Sequence, residues 1–250
     1  IDLAKRRFGF RVDGAARPDL LDGLALSVWK GRVAGAEDSE VMLSFSLVGS
    51  RGWIAVGGGL VHLMPRPDAS GDWSRGDVLL ASEESLNRRG MQLAFECEAK
   101  RPNTIGAETL RMPRAPAAGS SPLGGSLGLG SSCALRECKI ALEGDWQLFQ
   151  VFNDLAAETA YVTSLLAFVS DRYETQASTV LTFPHFNLWS TSNDGWDAQD
   201  TGGGCQAVLT ELQQTWVGSV PAGADLGHLM SGANLGCGVA WLDVLCSTEF

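Results

Sequence analysis

The stretch from Lys139 to Phe250 decides the fold. It opens with KIALE at residues 139–143 and continues through a long run with an apolar stripe to STVLTFPHFNLWS at 178–190. The acidic loop SNDGWDAQDTGGG at 192–204 and a second helical run lead to GHLMSG at 227–232 and GVAWLDVLC at 238–246. Trp146, Phe149, Phe152, Leu155, Ala156, Thr159, Ala160, Val162, Leu166, Val169 and Tyr173 recur at three- and four-residue spacing. That period predicts one helix of about seven turns whose stripe covers a sheet. Ala207, Leu209, Leu212 and Trp216 give a shorter helix, ended by Gly218 and Pro221. Strands alternating with helices predict a mixed, mainly parallel sheet with right-handed crossovers. Gly238 to Leu242 is expected to supply one edge of it.

Upstream the texture changes to period-two alternation between turn signals: LALSVWKGRV, EVMLSFSLV, GWIAVGG, LVHLMPRP, DVLLASEESL and MQLAFECEA. Short strands broken by Gly, Asp and Pro predict a mostly antiparallel β domain over residues 1–111. Between the two parts, Met112 to Ser132 (MPRAPAAGSSPLGGSLGLGSS) offers little to bury and reads as an exposed linker within a boundary region, 112–138. Accessible chain of this kind is where maturation cleavage would be easiest, with Arg101, Arg111 and Arg114 as marks for it.

Charge falls on the same division. Residues 1–138 carry 17 Lys and Arg against 16 Asp and Glu, and residues 139–250 carry 2 against 13, so nearly all of the net charge of −10 lies in the second part. An acidic second domain repels phosphate backbones, which argues against nucleic acid as a partner. No apolar run is long enough to span a membrane.

Three residue types bear on chemistry. The histidines are His62, His185 and His228, and no two of them are one helical turn apart. Asp194, Asp197 and Asp200 recur every three residues, and carboxylates suit calcium, but the EF-hand spacing is missing. Asp in a Gly-rich loop more commonly bonds its own backbone. Six cysteines, at 97, 133, 138, 205, 237 and 246, suit an oxidising compartment. A Cys–His hydrolase pairing Cys237 with His228 is one open alternative, and a non-catalytic secreted binding module presenting the acidic loop is another.

GHLMSG and GVAWLDVLC, with the strand and helix run before them, resemble bacterial secreted metzincin zinc proteases of the reprolysin (adamalysin-like) type. The resemblance spans residues 139–250, the upper part of such a catalytic domain. It implies an α/β catalytic subdomain preceded by an antiparallel β propeptide. It also implies a zinc helix, H-E-x-x-H-x-x-G-x-x-H, beyond Phe250, where zinc would polarise the scissile carbonyl. The function it implies is a precursor fragment of a secreted zinc metalloendopeptidase, inactive alone, with a signal peptide lost upstream. Its partners would be protein or peptide substrates, and its propeptide would contact the catalytic domain. By the same resemblance Gly238, Val239, Ala240 and Trp241 form the substrate-binding edge strand, which offers backbone groups to an extended peptide. Asp225 would be a calcium ligand, Cys246 would pair with a cysteine further on, and Cys97 would be a cysteine-switch thiol.

Overall fold

The structure, a computed structural model, describes residues 2–6, 24–88, 96–100 and 135–241. The expected linker at Met112–Ser132, the cleavage marks Arg101, Arg111 and Arg114, and Cys133 and Cys246 lie outside the described residues.

Six strands build the first unit: β1 (Asp2–Arg6), β2 (Ser27–Arg32), β3 (Glu40–Ser46), β4 (Gly49–Val56), β5 (Gly59–Arg66) and β6 (Asp77–Ser82). They form one antiparallel sheet in chain order. Gly57 and Gly58 join β4 to β5 with φ of 57° and 77°. A two-residue hairpin turn needs that left-handed pair, and side-chain-bearing residues resist it. Three sequence expectations change here. DVLLASEESL stops being a strand at Ser82 and becomes a short helix, α1 (Glu83–Arg88). Asp2–Arg6 adds a strand that the alternation did not signal. The described end of MQLAFECEA lies in β7 (Glu96–Lys100), which does not join this sheet.

The second unit is centred on β8 (Arg136–Gly144), with β9 (Thr179–Leu188) and β10 (Leu226–Met230) parallel to it on either side. The expected single helix is two, α2 (Trp146–Phe152) and α3 (Leu155–Ala177). Asn153 breaks the run with a left-handed φ of 50°, and the Asp154 carboxylate caps α3 by accepting from the Ala157 amide at 2.9 Å. Both segments keep the same stripe, which is why its period concealed the break. The shorter helix is α4 (Cys205–Trp216). Leu142, Leu148, Val162, Leu166, Leu181, Phe183 and Phe186 form the core between the parallel sheet and the helices.

Helix α3 is covered on a second side by the six-stranded sheet. Ala157 and Ala160 pack with Leu24 and Val48, and Ala167 packs with Val28 and Met42. Such small side chains let a sheet come close.

The last described strand, β11 (Cys237–Trp241), is not an edge of the parallel sheet. It pairs in parallel with β7, five residues against five, and the two form a separate ladder. The expectation that Gly238–Leu242 would extend the main sheet is therefore corrected: β9 and β10 are its edges among the described residues.

Candidate functional site

β11 carries Gly238, Val239, Ala240 and Trp241, the four residues expected to meet an extended peptide. Cys97 stands opposite Gly238 and Ala99 opposite Ala240 in the β7 ladder. One lateral edge of β11 is thus taken by the chain's own backbone. A two-stranded ladder has two outer edges, and each presents backbone donors and acceptors to any extended segment that adds to it. The start of β11 is pinned by the Cys205–Cys237 disulfide, which joins it to the first residue of α4. This bond corrects the Cys–His alternative, because Cys237 is not a thiol and cannot be a nucleophile.

Asp225 sits at the entrance to β10. Its Oδ2 accepts from the Lys139 amide at 2.8 Å, while its own amide donates to the Lys139 carbonyl at 2.7 Å. The pair clasps β10 to β8. The same carboxylate and burial together raise the pKa of the nearby free thiol Cys138, with burial the larger cause.

The carboxylates of Asp194 and Asp200 bond to the protein's own groups. Asp194 is buried and accepts from the Trp146 amide at 2.7 Å and the Trp196 amide at 3.2 Å. Asp200 accepts from the Gln147 side chain, and the Asp197 amide donates to Glu211 at 2.9 Å. Among the described residues no three His, Cys, Asp or Glu side chains are placed to hold a metal ion. His62, His185 and His228 stand on three different strands, β5, β9 and β10. The described residues therefore do not fit a zinc ion.

Sequence reading missed a polar cluster on the face of the parallel sheet that meets Trp216 of α4. The buried Glu143 carboxylate meets His185 Nε2 at 2.7 Å, and accepts from Asn187 Nδ2 at 2.9 Å and Trp189 Nε1 at 2.6 Å. Strict alternation along β9 puts Leu181, Phe183, His185 and Asn187 on one face. The observed register slips instead, from Lys139 opposite Thr182 to Ala141 opposite His185, with one extra residue in β9. Pro184 lies inside the slip and has no amide to give to a ladder. The slip keeps Phe183 and Phe186 in the core and turns His185 and Asn187 towards Glu143. Pro184 was the available signal. The three partners hold the carboxylate fixed, and the edge of the His185 ring meets Trp216 at 6.0 Å between centroids.

Residues 159–250 match the family model described as Metallo-peptidase family M12B Reprolysin-like. The matched residues include most of α3, then β9, α4, β10 and β11. A comparison with curated proteins gives no match. The match supports a reprolysin-like metallopeptidase for this region.

Proposed function

We propose that this chain is the N-terminal part of a bacterial, secreted zinc metalloendopeptidase precursor. The six-stranded sheet is its propeptide and residues 139–250 are the upper part of its catalytic domain. The zinc ligands lie past Phe250, and residues 1–250 cleave nothing alone. The observation that carries this reading is the overlap between the matched region, 159–250, and the helix–strand–helix–strand order that ends on β11. In that setting β11 binds substrate by backbone pairing along the edge that β7 leaves open. Gly238 allows close approach there, and alternate side chains from Val239 to Trp241 touch the peptide. The Cys205–Cys237 disulfide suits secretion into an oxidising space.

The test begins with the coding sequence after Phe250. If it encodes H-E-x-x-H-x-x-G-x-x-H, the longer chain is produced, its zinc is measured after dialysis, and casein cleavage is followed with and without a chelator. Stoichiometric zinc with chelator-sensitive cleavage is expected. A stop codon without that motif, or zinc-loaded protein that leaves casein intact, rejects the protease and leaves a non-catalytic binding module.

A further inference from the structure

We infer that the six-stranded sheet is a lasting partner of helix α3: once the chain is cut between its two units, the N-terminal piece stays docked as a separate, non-covalent subunit. The observations lie along one seam. Ser44 of β3 and Ser164 of α3 share a hydrogen bond of 2.6 Å, and both side chains are buried. Lys30 of β2 reaches Asp171 at 2.7 Å, and that carboxylate is only 1% exposed. Arg172 pairs with Glu40 at 2.6 Å and lies over the Trp53 ring, 5.2 Å from its centroid. At the other end of the seam the Trp73 indole donates to the Phe152 carbonyl at 3.1 Å, and its ring packs on Phe152.

Removing the sheet would break the Lys30–Asp171 pair and the Ser44–Ser164 hydrogen bond and would expose Ala157, Ala160 and Ala167, now packed on Leu24, Val48, Val28 and Met42, to water. The seam has the character of a core rather than of a surface that opens readily. A second hold is the separate ladder in which β7 pairs with β11. The docking does not depend on the protease reading. Only the name propeptide rests on that reading, and the inference makes it a propeptide that remains bound after the cut.

The experiment places a recognition site for a sequence-specific protease between Gly119 and Ser120 of the 250-residue chain. The chain is cut to completion and compared with uncut protein by size exclusion and non-denaturing mass spectrometry. The cut protein is expected to run as one species at the 26.5 kDa of the intact chain, plus the inserted site. Two separate peaks, or precipitation of the second piece after the cut, overturns the inference. In a second arm Glu40→Arg sets a third cation against Lys30 and Arg172, and the dissociation constant of the cut pair should rise by about tenfold or more. An unchanged constant would show that the seam is not what holds the pieces. Neither readout uses proteolytic activity, so docking and the peptidase assay can fail independently.

Discussion

Asp145 and Glu158 lie near enough in the core for their charges to repel, yet only Asp145 has hydrogen-bond partners among the described residues. One oxygen of Asp145 accepts from the amides of Leu148 at 2.8 Å and Gly232 at 3.0 Å, and the other accepts from the Ser231 hydroxyl. It therefore caps α2 and ties the end of GHLMSG to the helix start. Glu158, fully buried on α3, has no partner for either oxygen among the described residues. Burial first, and the Asp145 charge second, push its pKa up to about 8.

A carboxyl whose folded pKa is raised holds its proton in the native state where the unfolded chain has already lost it. The native state then binds more protons, and stability falls as pH rises from about 4.5 towards about 8. Glu158→Gln removes that slope. The variant should be more stable than the parent at pH 8, by on the order of 1–3 kcal/mol once local relaxation is allowed for. Urea unfolding at pH 5 and pH 8 decides it, and parallel pH dependences for the two proteins would refute the assignment.

Gly232 has no room for a side chain. A Cβ there would stand 2.3 Å from the Gln147 carbonyl carbon and 2.4 Å from Leu148 Cα. Both are backbone atoms of a capped helix start and cannot rotate away. Gly232→Ala should cost about 3 kcal/mol or more through overpacking and loss of the Asp145 contact. A thermal midpoint within a degree or two of the parent would contradict the close packing of this loop against α2.

Reducing the Cys205–Cys237 bond opens a loop closed across a sequence separation of 32. Loop-closure entropy assigns such a link about 3–4 kcal/mol. The double variant Cys205→Ser, Cys237→Ser should unfold at correspondingly lower urea and lose amide protection first in residues 237–241. Equal protection there with and without the bond would mean that the ladder with β7 suffices to hold β11.

In a longer chain that carries zinc and cleaves casein, Ala240→Pro removes one backbone donor from β11. If β11 pairs with substrate as proposed, the loss of one such hydrogen bond should lower kcat/KM by about tenfold. Zinc content should be unchanged and the thermal midpoint nearly so. Full activity in a folded variant would remove β11 from the substrate-binding role.

Periodicity located the elements well where one face of an element is buried. β2 to β6 were each legible as strands between turn signals, and α4 carries a clear stripe. It failed where burial is two-sided or the backbone departs from its regular path. Helix α3 buries Ser164 and Asp171 as well as its apolar stripe, because a second sheet lies on it, and no local pattern announces a partner so distant in sequence. Asn153 and Pro184 are the two residues at which the chain breaks step. Each was visible in the sequence, but its effect depended on tertiary register. The proposed site residues on β11 were legible as a strand, whereas their pairing with β7 was not, since no rule of spacing links residues 96 and 237.

That ladder has a consequence in time. Joining segments at such separation costs more loop-closure entropy than forming the contacts between β8 and β9 or within the antiparallel sheet. With two strands and five residue pairs among the described residues, it has little to resist local opening. It is expected to form late in folding and to open often in the folded protein. Access to the edge of β11 now held by β7 would then be set by how frequently the chain lets go of itself. Amide exchange at Val239 that is fast beside exchange at Leu142 in the central strand would show this, and equal exchange at the two would exclude it.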